Sequence, residues 1–272
     1  MRPFDRFIMV DWSGGNDTGP RPRKDAIWIG EAGEAPLYRR NRGQAERWLS
    51  DRIEDGLSRN ERLCIGFDFP FGYPRGFAAA LTGSKDPLAI WRWLAERVED
   101  SPKANNRFDL AGQVNLSMGQ GFGPFWGNAL GRDIQGLPRT KAGYSNPFPE
   151  RRVCESHAKG TFTCWQLAGA GAVGSQVLMG LPVLWRLRQR FAGKVAVWPF
   201  EEMDRPVAFV EIWPSLRADA VRRATEPRDI RDAVQVRVTA DWLAGLEPDA
   251  LHAMLDVTAP EEGWILGLEN RP

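Results

Sequence analysis

The sequence has few of the residues that build zinc sites and disulfide frameworks. Its three cysteines, Cys64, Cys154 and Cys164, are irregularly spaced, and its two histidines are His157 and His252. An odd cysteine count without a C-x-x-C pair argues against a disulfide framework. A zinc site of cysteine and histidine ligands is not expected either. The same cysteine usage predicts a reducing, cytoplasmic location.

Long apolar runs and an excess of one charge are also missing. No stretch approaches the roughly 20 apolar residues of a membrane helix, so we expect no membrane partner. The first residues show no apolar core of a signal peptide. Lys and Arg number 36 against 35 Asp and Glu, which gives a formal net charge of +1. This near-balance excludes a global basic field, and contact with nucleic acid would need local patches.

The chain does hold enough apolar residues, 43%, for a large core. Strand patterns are found at residues 7–12, 26–30, 36–39, 63–69, 195–198 and 207–213. Helix patterns are found at residues 44–57, 87–98, 175–191, 215–224 and 229–244. In the helix 175–191, Pro182 predicts a kink or a new start. The first three strands suggest an antiparallel meander. The fourth should lie parallel to a neighbour, because a helix precedes it.

Three connecting segments carry further expectations. The link 199–206 is too short for a crossover helix, so the strands beside it should be antiparallel if they are adjacent. Residues 100–160 are rich in Gly, Asn and Pro, and we predict an ordered insertion that covers the site. The tail 264–268 either adds a strand or packs on the core. We therefore predict one α/β domain over residues 1–272, a mixed sheet with helices on both faces and a large inserted segment.

Acidic residues stand at the ends of several strand patterns. They are Asp11, Asp68 and Glu211, joined by Asp229 and Asp232 at the start of a helix pattern. A carboxylate at the end of a buried strand is costly unless something pairs with it. Together they predict a site for a hard cation, Mg²⁺ or Mn²⁺, which prefers oxygen ligands. Asp11, Asp68, Asp229 and Asp232 are the candidate metal ligands. Glu211 would be a further ligand or would orient water.

Each acid also has a plainer interpretation. Asp68 could cap the loop that follows it, and Glu211 could pair with an arginine. Asp229 could be an N-cap or a first-turn acid. We favour Asp232 as the inward residue, because the apolar stripe of that helix lies near it.

Candidate substrate-binding residues come from loops and helix starts. Ser13 and Gly14 follow Asp11, where backbone amides could face a phosphate, although a plain turn would look the same. Ser175 and Gln176 start a helix, and helix N-termini favour anions. The other candidates lie in the predicted insertion: Asn105, Asn106, Arg107, Trp126, Arg151 and Arg152. Arginines there could clamp a phosphate through bidentate contacts. His157 could be a general base but is more simply a surface residue.

The order of elements and acids resembles the ribonuclease-H-like fold. More closely, the chain resembles a group of predicted ribonuclease-H-like nucleases classified as a domain of unknown function. The resemblance rests on residues 10–14, 65–70, 174–176, 210–215, 229–233 and 262–265. It implies that carboxylates at these places bind two divalent metals that cut phosphodiester bonds. Some members of the group carry a different label, molybdopterin guanine dinucleotide synthesis.

Two main functional hypotheses follow. The first is a divalent-metal-dependent phosphodiester hydrolase that acts on nucleic acid or a small nucleotide. Asp11 would be the bridging ligand, with Asp68 and Asp232 on opposite metals. The alternative is a nucleotide- or cofactor-binding protein, linked to cofactor biosynthesis, without nuclease activity. A third possibility is a partner-binding protein with a degenerate site.

Overall fold

The structure, a computed structural model, describes residues 3–119 and 122–269. Within these ranges six strands form one mixed sheet in the order β3-β2-β1-β4-β6-β5. The strands are β1 (Arg6–Asp11), β2 (Ile27–Glu31), β3 (Leu37–Arg39), β4 (Leu63–Phe67), β5 (Val195–Val197) and β6 (Val207–Glu211).

Helices connect and cover these strands. The described ranges contain α1 (Arg42–Ser58), α2 (Phe77–Thr82), α3 (Leu88–Ala95), α4 (Arg107–Ser117), α5 (Val153–His157), α6 (Gly174–Arg190), α7 (Ala218–Ala224), α8 (Arg231–Ala244) and α9 (Pro248–Leu255), with a short 3₁₀ helix at Pro214–Arg217. Among them, none has both the length and the apolar character needed to cross a bilayer.

Strand pairing agrees with the expected α/β arrangement. Strands β1, β2 and β3 pair antiparallel, as the short links between them predict. Helix α1 then returns the chain, so that β4 lies parallel to β1, with Val10 opposite Phe67. Strand β4 is in turn parallel to β6. The carboxyl ends of β1, β4 and β6 therefore lie at one edge of the sheet.

The direction of β5 corrects one expectation. Strands β5 and β6 are parallel, with Val195 opposite Val207 and Val197 opposite Phe209. The antiparallel prediction was wrong because β5 has only three residues. At about 3.3 Å per residue, β5 is only about 10 Å long. The link 198–206 can span this distance from the end of β5 to the start of β6 without a helix.

Apolar side chains fill both faces of the sheet. On one face Ile8, Val10 and Ile65 pack against α1, α3, α4 and α6. On the other, Met9 and Cys64 pack with α8, α9 and the tail. The alternation of side chains along each strand produces these two cores. The prediction of helices on both faces is confirmed.

Helix α6 and the tail depart from expectation in detail. Helix α6 is continuous, with Pro182 inside it, so no new helix starts there. Interior proline costs roughly 3 kcal/mol, and burial of most of residues 174–184 offsets that cost. The tail adds no strand. Instead Trp264 and Ile265 pack into the second core, and the Leu266 amide donates to the Glu211 carbonyl at 2.8 Å.

The described parts of the predicted insertion, residues 100–119 and 122–160, pack against the chain that follows β4. It contains α4 and α5. Its Phe125 and Phe148 join an aromatic cluster with Tyr73, Phe77 and Trp165, whose ring centroids lie 4.7–6.0 Å apart. Burial of these rings compensates the conformational entropy lost in a segment with little regular structure.

Helix α8 approaches the sheet closely at Gly30. A Cβ atom at this position would lie 2.6 Å from the backbone carbonyl carbon of Val236. We therefore expect Gly30→Ala to lower the free energy of unfolding by about 1–3 kcal/mol, the usual cost of overpacking. Urea denaturation measures the loss. Gly131→Ala is the control, because open space surrounds Gly131. Equal stability of the two variants would contradict this account of the packing.

Candidate functional site

Two aspartates meet where β1 and β4 end. Because these strands are parallel neighbours, Asp11 and Asp68 emerge side by side from the same sheet edge. The Trp12 amide donates to Asp68 Oδ1 at 2.7 Å. In return the Asp68 amide donates to the Val10 carbonyl at 3.2 Å. These two hydrogen bonds hold the strand ends together just beyond the sheet.

Helix α8 brings a third aspartate to this edge. It packs across β1 and β2, and Asp232 lies in its first turn. The Asp25 amide donates to Asp232 Oδ2 at 2.8 Å. Asp25 has a left-handed backbone with φ of 56°, and its carbonyl accepts a hydrogen bond from Ser13 Oγ at 3.1 Å. The loop after β1, residue 25 and α8 are thus tied to one another.

A cavity of about 410 Å³ opens between these groups. Among the described residues it is lined by Asp11, Asp25, Asp68 and Asp232, by Arg107, and by Trp12, Ser13, Gly14, Gly15, Leu167, Ala168, Ala172, Ser175 and Gln176. Five predicted substrate-binding residues therefore line the same cavity as Asp11, Asp68 and Asp232. They are Ser13, Gly14, Arg107, Ser175 and Gln176. Ligands of open α/β sheets bind at this end of the strands.

Glycine at position 14 allows the loop after β1 to reach α6. A Cβ atom on Gly14 would lie 2.6 Å from the Ser175 backbone. Gln176 adds a hydrogen bond from its side-chain amide to the Trp12 carbonyl at 2.6 Å. Gln176 therefore supports the loop as well as lining the cavity.

A larger cavity of about 480 Å³ lies elsewhere. Phe4 and Arg62 line it, and these residues precede β1 and β4. It therefore opens at the opposite ends of the strands from Asp11 and Asp68. Position and chemistry favour the smaller cavity as the functional one.

Burial and like charge raise the pKa values of two site carboxyls. Burial raises the pKa of Asp11 well above its ordinary range, and the charges of Asp68, Asp232 and Asp25 raise it further. Burial raises the pKa of Asp68 to about 7, although the Trp12 amide opposes the shift. In the described ranges no donor reaches the Asp11 carboxylate. Such a group calls for a counter-charge.

The carboxylate oxygens of this cavity are suitable ligands for a hard cation, but the side chains that carry them are not close enough together to bind one. All the acidic side chains offer oxygen, which Mg²⁺ and Mn²⁺ prefer. Yet within residues 3–119 and 122–269 no three His, Cys, Asp or Glu side chains are grouped closely enough to hold a metal. Backbone amides already occupy one carboxylate oxygen each of Asp68 and Asp232. Side-chain movement would have to accompany cation binding.

Glu211 and Arg152, predicted as a metal ligand or water-orienting group and as a phosphate clamp, do not line this cavity, and with Asp68 they line a separate one of about 50 Å³. They form a buried pair with Arg152 Nη2 2.6 Å from Glu211 Oε1. Arg152 Nε also donates to Glu155 at 2.9 Å, and the Phe71 amide donates to Glu211 at 3.0 Å. Breaking a buried pair costs about 3–5 kcal/mol. The geometry favours the alternative interpretation, a structural pairing of Glu211 with an arginine.

Other candidates have local roles as well. Asp229 precedes α8 and accepts the Glu226 amide at 2.9 Å, so Asp232 is the acid that lines the cavity. Trp126 is not among the lining residues, and the Lys141 ammonium lies 5.3 Å from its ring. The His157 ring lies 5.8 Å from that of Trp264.

In the predicted insertion, one of the inner-face candidates reaches the cavity. Arg107 lines it. Asn105 accepts a hydrogen bond from Arg107, whereas the Asn106 side chain donates to the Arg97 carbonyl. Arg151 donates to the Thr161 carbonyl at 2.7 Å. The insertion therefore contributes one side of the cavity, and residues 167–172 beyond it contribute another.

Sequence reasoning missed several residues of the site. Asp25 lies in a polar loop without the strand-end pattern that singled out Asp11. Leu167, Ala168 and Ala172 belong to a segment without a periodic pattern. Arg42, which donates hydrogen bonds to the Ser13 and Gly15 carbonyls of the loop after β1, lies in the first turn of the amphipathic helix α1. In the sequence of this chain, none of these positions carries a signal beyond its residue type.

The chain was compared with protein-family models, with curated proteins and with solved structures, and it matches none of them.

Substitution of Asp11 tests the electrostatic description of the site. A carboxyl whose pKa is raised on folding binds more protons in the folded state, so its contribution to stability falls as pH rises between the two pKa values. For Asp68 that window runs from 3.8 to about 7. Metal-free wild type should lose stability as pH rises, and Asp11→Asn should lose less. At pH 8 the variant should be more stable by about 1 kcal/mol or more.

Urea denaturation in chelator at about pH 5 and pH 8 measures this difference. Asp229→Asn is the control, because Asp229 does not line the cavity. The stability of the Asp229→Asn variant should change with pH as that of the wild type does. An Asp11→Asn variant with the wild-type pH dependence would refute the claim that the carboxylates repel one another.

Proposed function

We propose that this chain is a divalent-metal-dependent phosphodiester hydrolase with a ribonuclease-H-like fold, acting on nucleic acid or a small nucleotide. One observation carries the proposal. Asp11 from the end of β1, Asp68 from the end of β4 and Asp232 from the first turn of α8 line a single cavity.

The sheet supports the fold assignment. The order β3-β2-β1-β4, with β2 antiparallel and β4 parallel to β1, agrees with the ribonuclease-H-like resemblance of the sequence. Its acids also lie at the strand ends and helix start that the resemblance implies. These agreements support the proposal without a relative to compare.

Asp11, Asp68 and Asp232 would hold Mg²⁺ or Mn²⁺. When bound, the cation supplies positive charge at the phosphodiester and lowers the pKa of water. Asp11 is the natural shared ligand, because it receives no hydrogen bond in the described ranges and is repelled by the other acids. Asp68 and Asp232 keep their backbone hydrogen bonds on one oxygen and leave the other for a ligand.

Arg107 offers a second contact for the phosphate. Its Nε donates to Ser175 Oγ at 2.9 Å and its Nη1 to Asn105 Oδ1 at 2.6 Å. These two bonds orient the guanidinium, and Nη2 has no acceptor in the described ranges. Burial lowers the pKa of Arg107 to about 10, which leaves it charged at neutral pH. The N-terminus of α6, beside it, adds a favourable dipole for an anion.

Two observations favour a second candidate, nucleotide or cofactor binding without hydrolysis. In the described ranges no ready three-ligand metal cluster exists. The cavity volume of about 410 Å³ also falls within the range of small-molecule sites. A small nucleotide would fit either candidate. The label of molybdopterin guanine dinucleotide synthesis belongs to this second candidate.

The two acids at the start of α8 provide a matched test. Wild type should gain thermal stability with Mn²⁺, by about 2.7 kcal/mol at 100 times the Kd. Asp232→Asn should lose most of this stabilisation by Mn²⁺. Its rate of hydrolysis of a generic phosphodiester should fall at least 10-fold. Asp229→Asn should retain both. Asp11→Asn should fold and show no metal-dependent hydrolysis.

Single-stranded DNA, RNA and dinucleotides complete the assay. Binding of Mn²⁺ and a nucleotide without hydrolysis would select the second candidate. No Mn²⁺ shift and no hydrolysis in the wild type would refute the proposed activity. Full activity in Asp11→Asn would place the chemistry elsewhere in the chain.

A further inference from the structure

A buried arginine lies directly behind the candidate site. Arg42 opens α1 and is only 4% exposed. Its Nη1 donates to the carbonyls of Ser13, at 2.9 Å, and Gly15. Its Nε and Nη2 hold the Asp100 carboxylate at 2.7 and 2.6 Å. One guanidinium thus binds two separate segments of the chain.

The first of these segments follows Asp11. Ser13 and Gly15 line the cavity, and their carbonyls accept hydrogen bonds from Arg42, which is not among the lining residues. Gln176 holds the Trp12 carbonyl from another side. Arg42 therefore fixes the path of the chain just after Asp11.

The second segment leads to Arg107. Asp100 begins a turn that is closed by its bridge to Asn105 and by the Ser101 amide, which donates to the Ala104 carbonyl at 2.9 Å. Asn105 Oδ1 then accepts from Arg107 Nη1 at 2.6 Å. The contact between Arg42 and Asp100 thus fixes the base of the turn that orients Arg107.

The same turn also touches the loop after β1 directly. Asn105 donates to the Asn16 side chain at 2.9 Å, and the Asp17 amide donates to the Pro102 carbonyl at 2.7 Å. The bond between Asn105 and Asn16 is exposed, whereas the Arg42 contacts are partly buried, with side-chain exposures of 4% for Arg42 and 21% for Asp100. The wall that carries Asp11 and the wall that carries Arg107 are therefore joined by two sets of contacts. Arg42 provides the more buried set.

We propose that Arg42 is a positioning residue: it sets the carboxylate wall carrying Asp11 and the wall carrying Arg107 at a fixed separation. The catalytic consequence rests on the proposed function, but the positioning itself does not. A planar guanidinium suits this task because its five N–H groups point in fixed directions. A lysine has one nitrogen and would retain charge while serving only one segment.

Arg42→Lys and Asp100→Asn separate the two connections. Arg42→Lys should weaken Mn²⁺ binding and lower kcat, each roughly 10-fold, the usual effect of losing a group that orients ligands. Asp100→Asn keeps the bonds to Ser13 and Gly15, so it should mainly raise KM by misplacing Arg107. Arg186→Gln is the control. It breaks a nearby exposed pair with Glu46, whose closest distance is 2.6 Å, and the side chain of Arg186 makes no hydrogen bond to either wall in the described ranges.

Amide hydrogen exchange provides a readout that does not depend on activity. Arg42→Lys should speed exchange in residues 13–15 and 100–106, and Asp100→Asn only in 100–106. Arg186→Gln should change neither segment. Unchanged exchange in a folded Arg42→Lys protein would overturn the proposal, and so would kinetics equal to those of Arg186→Gln.

Two further outcomes distinguish failure of the proposed function from failure of the positioning role. A wild type without Mn²⁺ binding or hydrolysis refutes the proposed function, while exchange still tests the positioning. If Arg42→Lys does not fold, Asp100→Asn decides: a rise in KM with faster exchange in 100–106 supports the proposal. Behaviour like that of Arg186→Gln overturns it.

Discussion

Repulsion among the carboxylates of Asp11, Asp68 and Asp232 is the constraint that the site must meet. Parallel pairing of β1 and β4 brings the first two together, and the packing of α8 adds the third. Backbone amides stabilise Asp68 and Asp232. Asp11 receives no such bond in the described ranges, and its pKa is raised by burial and by its neighbours. Folding therefore concentrates negative charge where a cation would relieve it.

The end of β6 shows how the same chain treats an acid that needs no external partner. Glu211 occupies a strand end like that of Asp68, yet Arg152 and the Phe71 amide satisfy its carboxylate inside the core. The tail closes over this pair through Leu266. Strand-end position alone thus does not separate structural acids from functional ones. The presence or absence of an internal counter-charge does.

Much of this arrangement could be predicted from local patterns. Because helix α1 lies between β3 and β4, β4 was expected to lie parallel to its neighbour in the sheet. The apolar stripe of α8 favoured Asp232 over Asp229 as the inward acid. Contacts between distant segments could not be predicted. The partner of Glu211 lies 59 residues away, and Asp25 meets Asp232 across 207 residues. The direction of β5 depended on a strand too short to require a helical return.

The central claim is that the three aspartates share a divalent cation. Anomalous scattering from a crystal soaked in Mn²⁺ tests it most directly. The account predicts one or two peaks among Asp11, Asp68 and Asp232, with carboxylate oxygens about 2 Å from the metal. It also predicts none beside Glu211, which Arg152 already neutralises. An empty cavity at saturating Mn²⁺, or a peak bound without Asp11, would contradict it.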